Sequence, residues 1–140
     1  MEAGIERLTD PKACRLITDK YPEHFTFNAE EWFSHKQNYA FVKGENVAFG
    51  EWKSPGVYWV HFCFHTAKGR EAIELTKNMF SALCSLSDLK IGIGLIHHEN
   101  RKAKWLIRQV GFKSLGMIET SNGLCEMFTQ TNTSKGSKEI

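Results

Sequence analysis

The chain has 140 residues, of which 41% are hydrophobic and 24% charged, with a formal net charge of +2. That balance describes one globular domain and argues neither for a nucleic-acid binder nor for a membrane-surface protein. No apolar run approaches the roughly 20 residues that cross a bilayer as a helix.

Cys14, Cys63, Cys84 and Cys125 are far apart and form no CxxC pair. They are expected as reduced thiols and not as a disulfide framework. Met1 to Thr9 shows no basic segment followed by an apolar stretch, so no signal peptide and a cytoplasmic location are expected.

In chain order, Thr9-Asp10-Pro11 reads as a helix start, with Ala13, Leu16 and Ile17 as its apolar stripe and Tyr21-Pro22 as its stop. Asn28 with Glu31 resembles a capping box opening a short helix through Trp32 and Phe33. Tyr39 to Lys43 and Val47 to Lys53 form a hairpin around Gly44-Glu45-Asn46, and Ser54-Pro55-Gly56 is a further turn. Val57 to His65 is apolar on both faces, which predicts a central strand covered on two sides. The spacing of Ala72, Leu75, Met79, Ala82 and Leu86 predicts a helix from Gly69 to about Leu86. Leu89 to Ile96 is a second buried strand. Asn100 to Val110 is an amphipathic helix with Ala103, Leu106, Ile107 and Val110 inward, ended by Gly111. Phe112 to Glu119 and Leu124 to Thr129 close the domain as a hairpin around Ser121-Asn122-Gly123. Strand-helix-strand units after an antiparallel start predict a mixed sheet carrying helices on its faces. Residues 1–129 are expected as one domain and 130–140 as a disordered polar tail.

The loop His65-Thr66-Ala67-Lys68-Gly69-Arg70 leads from the central strand into the long helix. A helix N-terminus offers free N–H groups and the positive end of the dipole, which suits a phosphate. Gly69 permits close backbone approach, and Lys68 and Arg70 add positive charge. Four histidines, His61, His65, His97 and His98, are candidate bases. His65 and His97 stand at the ends of the two buried strands. Alternation puts His61, Cys63 and His65 on one strand face, where with His97 they could form a zinc site. However, i and i+2 side chains lie about 6–7 Å apart, and tetrahedral zinc usually draws its ligands from tighter turns. No metal is expected.

Asn100 followed by Ala103, Leu106 and Gly111-Phe112 resembles the motif with which the acyl-CoA N-acyltransferase (GNAT) superfamily begins and ends the helix after its fifth strand. The resemblance covers Tyr58 to Leu115, and the helices and hairpin before it agree in order. The Val-His-Phe-Cys-Phe and Gly-Arg-Glu-Ala runs look most like GNAT-like proteins of tailed bacteriophages.

The resemblance implies an α/β fold with a mixed, mostly antiparallel sheet, a splayed central parallel pair beside Phe64 and Ile96, and helices on both faces. It also implies acetyl-CoA as the acyl donor. The backbone from Ala67 through Lys68, Gly69 and Arg70 to Ala72 would take the pyrophosphate, and Phe62 to Phe64 would pair with the pantetheine arm. Asn100 and Ala103 would line the coenzyme side of the cleft. A backbone N–H near Cys63 or Phe64 would polarise the thioester, with His65 and His97 as bases for a small-molecule or protein amine. Neither a membrane nor a nucleic acid is an expected partner. Ala29 to His35 and the final hairpin would choose the acceptor.

The chain departs from the family pattern in two places. Thr66 and Glu71 replace a basic and a small residue of the coenzyme loop, and Ile107 stands where many catalytic members carry a tyrosine that protonates the leaving thiolate. These departures leave open a GNAT-fold binding or structural protein, phage-encoded and without catalysis.

Overall fold

The computed structural model of the protein describes residues 4–19 and 28–132. In chain order the elements are β1 (Glu6–Arg7), α1 (Pro11–Thr18), α2 (Ala29–Ser34), β2 (Tyr39–Lys43), β3 (Asn46–Ser54), β4 (Val57–Cys63), α3 (Gly69–Leu86), β5 (Ile91–His97), α4 (Arg101–Gln109), β6 (Lys113–Thr120) and β7 (Gly123–Thr131). The strands form one sheet in the order β1-β2-β3-β4-β5-β7-β6. Each neighbouring pair is antiparallel except β4 and β5. The parallel pair follows from the α3 crossover, which returns the chain to the same end of the sheet before the next strand starts. This is the mixed, mostly antiparallel α/β architecture expected from the sequence.

Local chemistry explains the helix starts. Asp10 caps α1 by accepting from the Lys12 N–H, with Pro11 as the first helical residue. Asn28 caps α2 through the Glu31 N–H, and Asn100 caps α4 through the Ala103 N–H. The start of α3 differs: Lys68 is its N-cap and makes no side-chain capping bond.

Two clusters of buried side chains fix the layers. On one face Ala72, Leu75, Met79 and Leu83 of α3 and Ile107 of α4 pack against Phe41, Ala48, Tyr58, Val60 and Phe128. On the other, Cys14 of α1 and Trp32 of α2 pack against Ala40, Val47 and Phe49. Among the described residues, α1 and α2 therefore cover β2 and β3. Along β4, Tyr58 and Val60 are buried toward α3, whereas Trp59 is half-buried and His61 exposed on the opposite face. The expectation that this strand is covered on both sides is corrected: it is central in sheet order, but among the described residues one face stays open, because α1 and α2 reach only as far as β3.

Other boundaries differ from expectation for equally local reasons. Leu16 points to solvent at 74% exposure, and Cys14 takes the buried position expected of it. β7 runs to Thr131, and Asn132 is buried, donating to the carbonyls of Cys84 and Leu89 at 3.4 and 3.3 Å. The ordered chain thus passes the boundary expected at Thr129. Tyr21-Pro22 and the tail from residue 133 lie outside the described residues.

Close packing of α3 on the sheet depends on a missing side chain. A Cβ at Gly50 would lie 2.7 Å from both methyl carbons of Leu83. Gly50→Ala is therefore expected to cost about 1–3 kcal/mol through overpacking. A denaturant titration measures this as a lower midpoint with an unchanged slope.

Candidate active site

The cleft begins where the two central strands part. Their pairing is confined to Val57↔Ile91, Tyr58↔Gly92 and Trp59↔Ile93, although β4 continues to Cys63 and β5 to His97. The Gly56 carbonyl accepts from the Lys90 and Ile91 N–H groups, so it faces β5. Counting by twos along β4 aims the Val60 carbonyl and the N–H and C=O of Phe62 into the gap. Gly94 lies across from them: its Cβ, if present, would sit 3.8 Å from the Val60 oxygen. The Cys63 N–H belongs to the alternate set that faces Val47 of β3, so Phe62 is the strand-end donor to the gap and Cys63 is not.

The open end of α3 stands beside this gap. Ala72 is the first residue whose N–H closes a helical turn, onto the Lys68 carbonyl at 3.4 Å. The N–H groups of Gly69, Arg70 and Glu71 are thus left at the helix end. Lys68, Gly69, Arg70 and Glu71 are all exposed. Gly69 has φ +55°, and a Cβ there would meet nothing within 4 Å, so it supplies the turn and leaves the space above it open. Glu71 lies in the first turn of α3, where a carboxylate favours the helix dipole.

The rest of the loop is occupied. Asn46 Oδ1 accepts from the N–H groups of His65, Thr66 and Ala67 at 2.9, 3.0 and 3.1 Å. The Ala67 and Ala72 amides are therefore engaged within the protein, and the outward amides at the start of α3 are those of Gly69, Arg70 and Glu71. Phe62 and Phe64 are half-buried, their rings edge to face with centroids 6.1 Å apart, and both pack against the α3 cluster. Asn100 and Ala103 are joined by the α4 capping bond at 3.1 Å, a structural use of both residues.

The histidines separate by environment. His97 is exposed, but its Nδ1 accepts from the Glu99 N–H at 3.3 Å and its ring lies tilted against that of His98 with centroids 4.6 Å apart. In the neutral ring that bond uses the lone pair a base needs. His65 is half-buried with its Nε2 closed off from solvent. His61 lies across from Phe49 on the open face, above the point where β4 and β5 part. Although the residue is exposed, partial burial of its ring lowers its pKa below the ordinary histidine value; Glu51 opposes this and Lys53 adds to it. The ring is thus neutral near pH 7. Cys63, on the same face, has its thiol pushed up to about 11 by burial and stays protonated. Among the described residues no group of three or more His, Cys, Asp or Glu side chains is placed to hold a metal ion.

Sequence reasoning favours His65 and His97 because both stand at strand ends. The exposure of His61 depends on which strands α1 and α2 cover, and no local spacing reports that. A cavity of about 500 Å³ opens on the same face, lined by Glu31, Trp32 and His35 of the α2 region and by Glu51, Trp52 and Lys53 of β3. Of the basic residues on α4, Lys104 and Arg108 are tied to the buried Glu126 at 3.7 and 3.0 Å, while Arg101 and Lys102 are exposed. Ile107 is 4% exposed and belongs to the core.

Solved structures similar in fold to the chain include acetyltransferases. The chain is similar over 97% of its length to 98% of aminoglycoside acetyltransferase AAC(6')-Ib in complex with coenzyme A and kanamycin, with a TM-score of 0.68 and 12% identity. A variant of the spermidine N-acetyltransferase SpeG from Vibrio cholerae gives a TM-score of 0.74 at 11% identity, covering 97% of this chain and 99% of that one. An acetyltransferase from Salmonella typhimurium that modifies the N-terminal serine of a 50S ribosomal subunit protein gives 0.68 at 10% identity, covering 93% and 96%. No family model matches the chain, and no curated protein matches it in sequence. The likeness shows the GNAT fold over nearly the whole chain. It does not bear on the resemblance to phage proteins.

Proposed function

We propose that this chain is an acyl-CoA-dependent N-acyltransferase, moving an acetyl group from acetyl-CoA to a primary amine by direct attack. The observation that carries the reading is the unpaired gap between β4 and β5, set beside the uncapped start of α3. The solved neighbours that carry coenzyme A support it.

Coenzyme A supplies the acyl group as an activated thioester. The residues present fit it: the amides of Gly69, Arg70 and Glu71, with the charges of Lys68 and Arg70, would hold the pyrophosphate. The Phe62 N–H would stabilise the charge that develops on the acyl oxygen, as a fixed donor in a narrow gap. His61, on the open face, would take the proton from the attacking amine as the N–C bond forms and the C–S bond breaks. That proton is then available to the departing thiolate, a role for which Ile107 has no group. The cavity against α2 offers room for the body of the acceptor, on the face where Ala29 to His35 lie. Holding amine and thioester together in the gap supplies much of the remaining rate.

A second reading is a GNAT-fold binding protein without catalysis, favoured by Ile107 in the core where many catalytic members carry a tyrosine. One assay separates the two. Protein with acetyl-CoA is mixed with a polyamine, an aminoglycoside or a peptide with a free N-terminus, and thiol release is followed. Release that depends on the amine supports the enzyme. Coenzyme binding with no release from any of the three supports the binding protein.

A further inference from the structure

Asn46 lies at the start of β3, 4% exposed, twenty residues before the loop it touches. Its side chain is used on both ends. Oδ1 gathers the N–H groups of His65, Thr66 and Ala67, while Nδ2 donates to the Thr66 hydroxyl at 2.8 Å and to the Lys43 carbonyl at 3.2 Å. Three consecutive amides that turn onto one oxygen cannot also face a ligand. The bend they impose ends at Lys68, from which α3 starts with no capping side chain. One buried amide thus divides the loop: the three N–H groups before Lys68 are spent inward, and the three after it, of Gly69, Arg70 and Glu71, are left outward.

We propose that Asn46 is a positioning residue for the acyl donor, holding the loop 65–67 so that the first turn of α3 presents its amides to the coenzyme pyrophosphate. The proposal rests on the coenzyme reading above. Asn46 touches no reacting atom. It acts through the loop, and its effect falls on donor binding and leaves the acyl-transfer step alone.

The first test uses the unmodified chain. Amide hydrogen exchange is read residue by residue with and without acetyl-CoA. The amides of His65, Thr66 and Ala67 are expected to be protected in both states. Those of Gly69, Arg70 and Glu71 should exchange freely alone and become protected by acetyl-CoA. Protection at 65–67 that arises only with the coenzyme overturns the role of Asn46. No protection at 69–71 with acetyl-CoA removes the coenzyme reading and this proposal with it.

The second test is Asn46→Ala, assayed with acetyl-CoA and with S-acetylpantetheine, which lacks the pyrophosphate. With acetyl-CoA, kcat/KM is expected to fall about tenfold or more through KM, with kcat little changed. With S-acetylpantetheine, kcat/KM should match the unmodified chain. An equal loss with both donors means that Asn46 only supports the fold, and no loss with either means that the loop needs no such anchor. Both results contradict the proposal.

Discussion

Replacing His61 by alanine is expected to lower kcat for acetyl transfer by about 10²–10⁴-fold, the usual worth of a positioned base, with the KM for acetyl-CoA little changed. His61 stands on the face of β4 opposite α3, so its loss removes a group on the acceptor side of the gap and none from the pyrophosphate side. His97→Ala is expected to change kcat far less, because the His97 lone pair is already bonded to the Glu99 N–H. Steady-state kinetics on His61→Ala, His65→Ala and His97→Ala decide the assignment. A large loss confined to His65 or His97 would mean that the strand-end expectation is right and the open-face argument wrong.

The pH dependence gives a second reading of the same residue. The folded pKa of His61 lies below the ordinary value of 6.5, chiefly through desolvation. The acid limb of kcat/KM should therefore fall below that value, and His61→Ala should abolish it. Stability follows the same linkage. Between the folded and unfolded pKa values the unfolded chain binds more protons, so this group makes the fold less stable as pH falls below 6.5 and costs nothing above it. His61→Gln removes that slope, which unfolding midpoints measured across this pH range would show.

The second large effect is expected at Gly94. An alanine there meets the Val60 carbonyl oxygen at 3.8 Å and a Val60 methyl at 3.9 Å, ordinary contact distances. Gly94→Ala should leave the fold and acetyl-CoA binding nearly intact. Gly94→Leu pushes a branched side chain to the α3 side of the gap, where the pantetheine arm would lie. It is expected to weaken acetyl-CoA about a hundredfold or more, equivalent to roughly 2.7 kcal/mol or more of binding free energy. Calorimetric titration of both variants, with unfolding midpoints as a control, checks this. Equal affinity in the two would place the donor outside the gap.

Much of this site is legible in the sequence because its parts are local. The bounds of α3, Gly69 to Leu86, follow from apolar spacing, and Asn100 identifies itself as a cap by position. The two-residue β1 carries no pattern of its own, since Glu6 and Arg7 are both exposed and are held by pairing with Val42 and Phe41 and by the Arg7 guanidinium over the Tyr39 ring. Asn46 is equally hidden. It reads as a turn residue after Gly44, and its partners lie across a strand and a turn. The open face of β4 escapes a one-dimensional pattern, in which Trp59, His61 and Cys63 look like core. Which strands the first two helices cover is a property of the assembled sheet.

Thermal unfolding with and without acetyl-CoA tests the central claim most directly. At about 100 times its dissociation constant the donor should stabilise the native chain by roughly 2.7 kcal/mol, a rise on the order of 5–10 °C. That rise is expected for the unmodified chain, and its loss in Gly69→Trp, where an indole would cover the first amides of α3. An unchanged midpoint at millimolar acetyl-CoA would contradict it, leaving a GNAT fold that binds something other than coenzyme A.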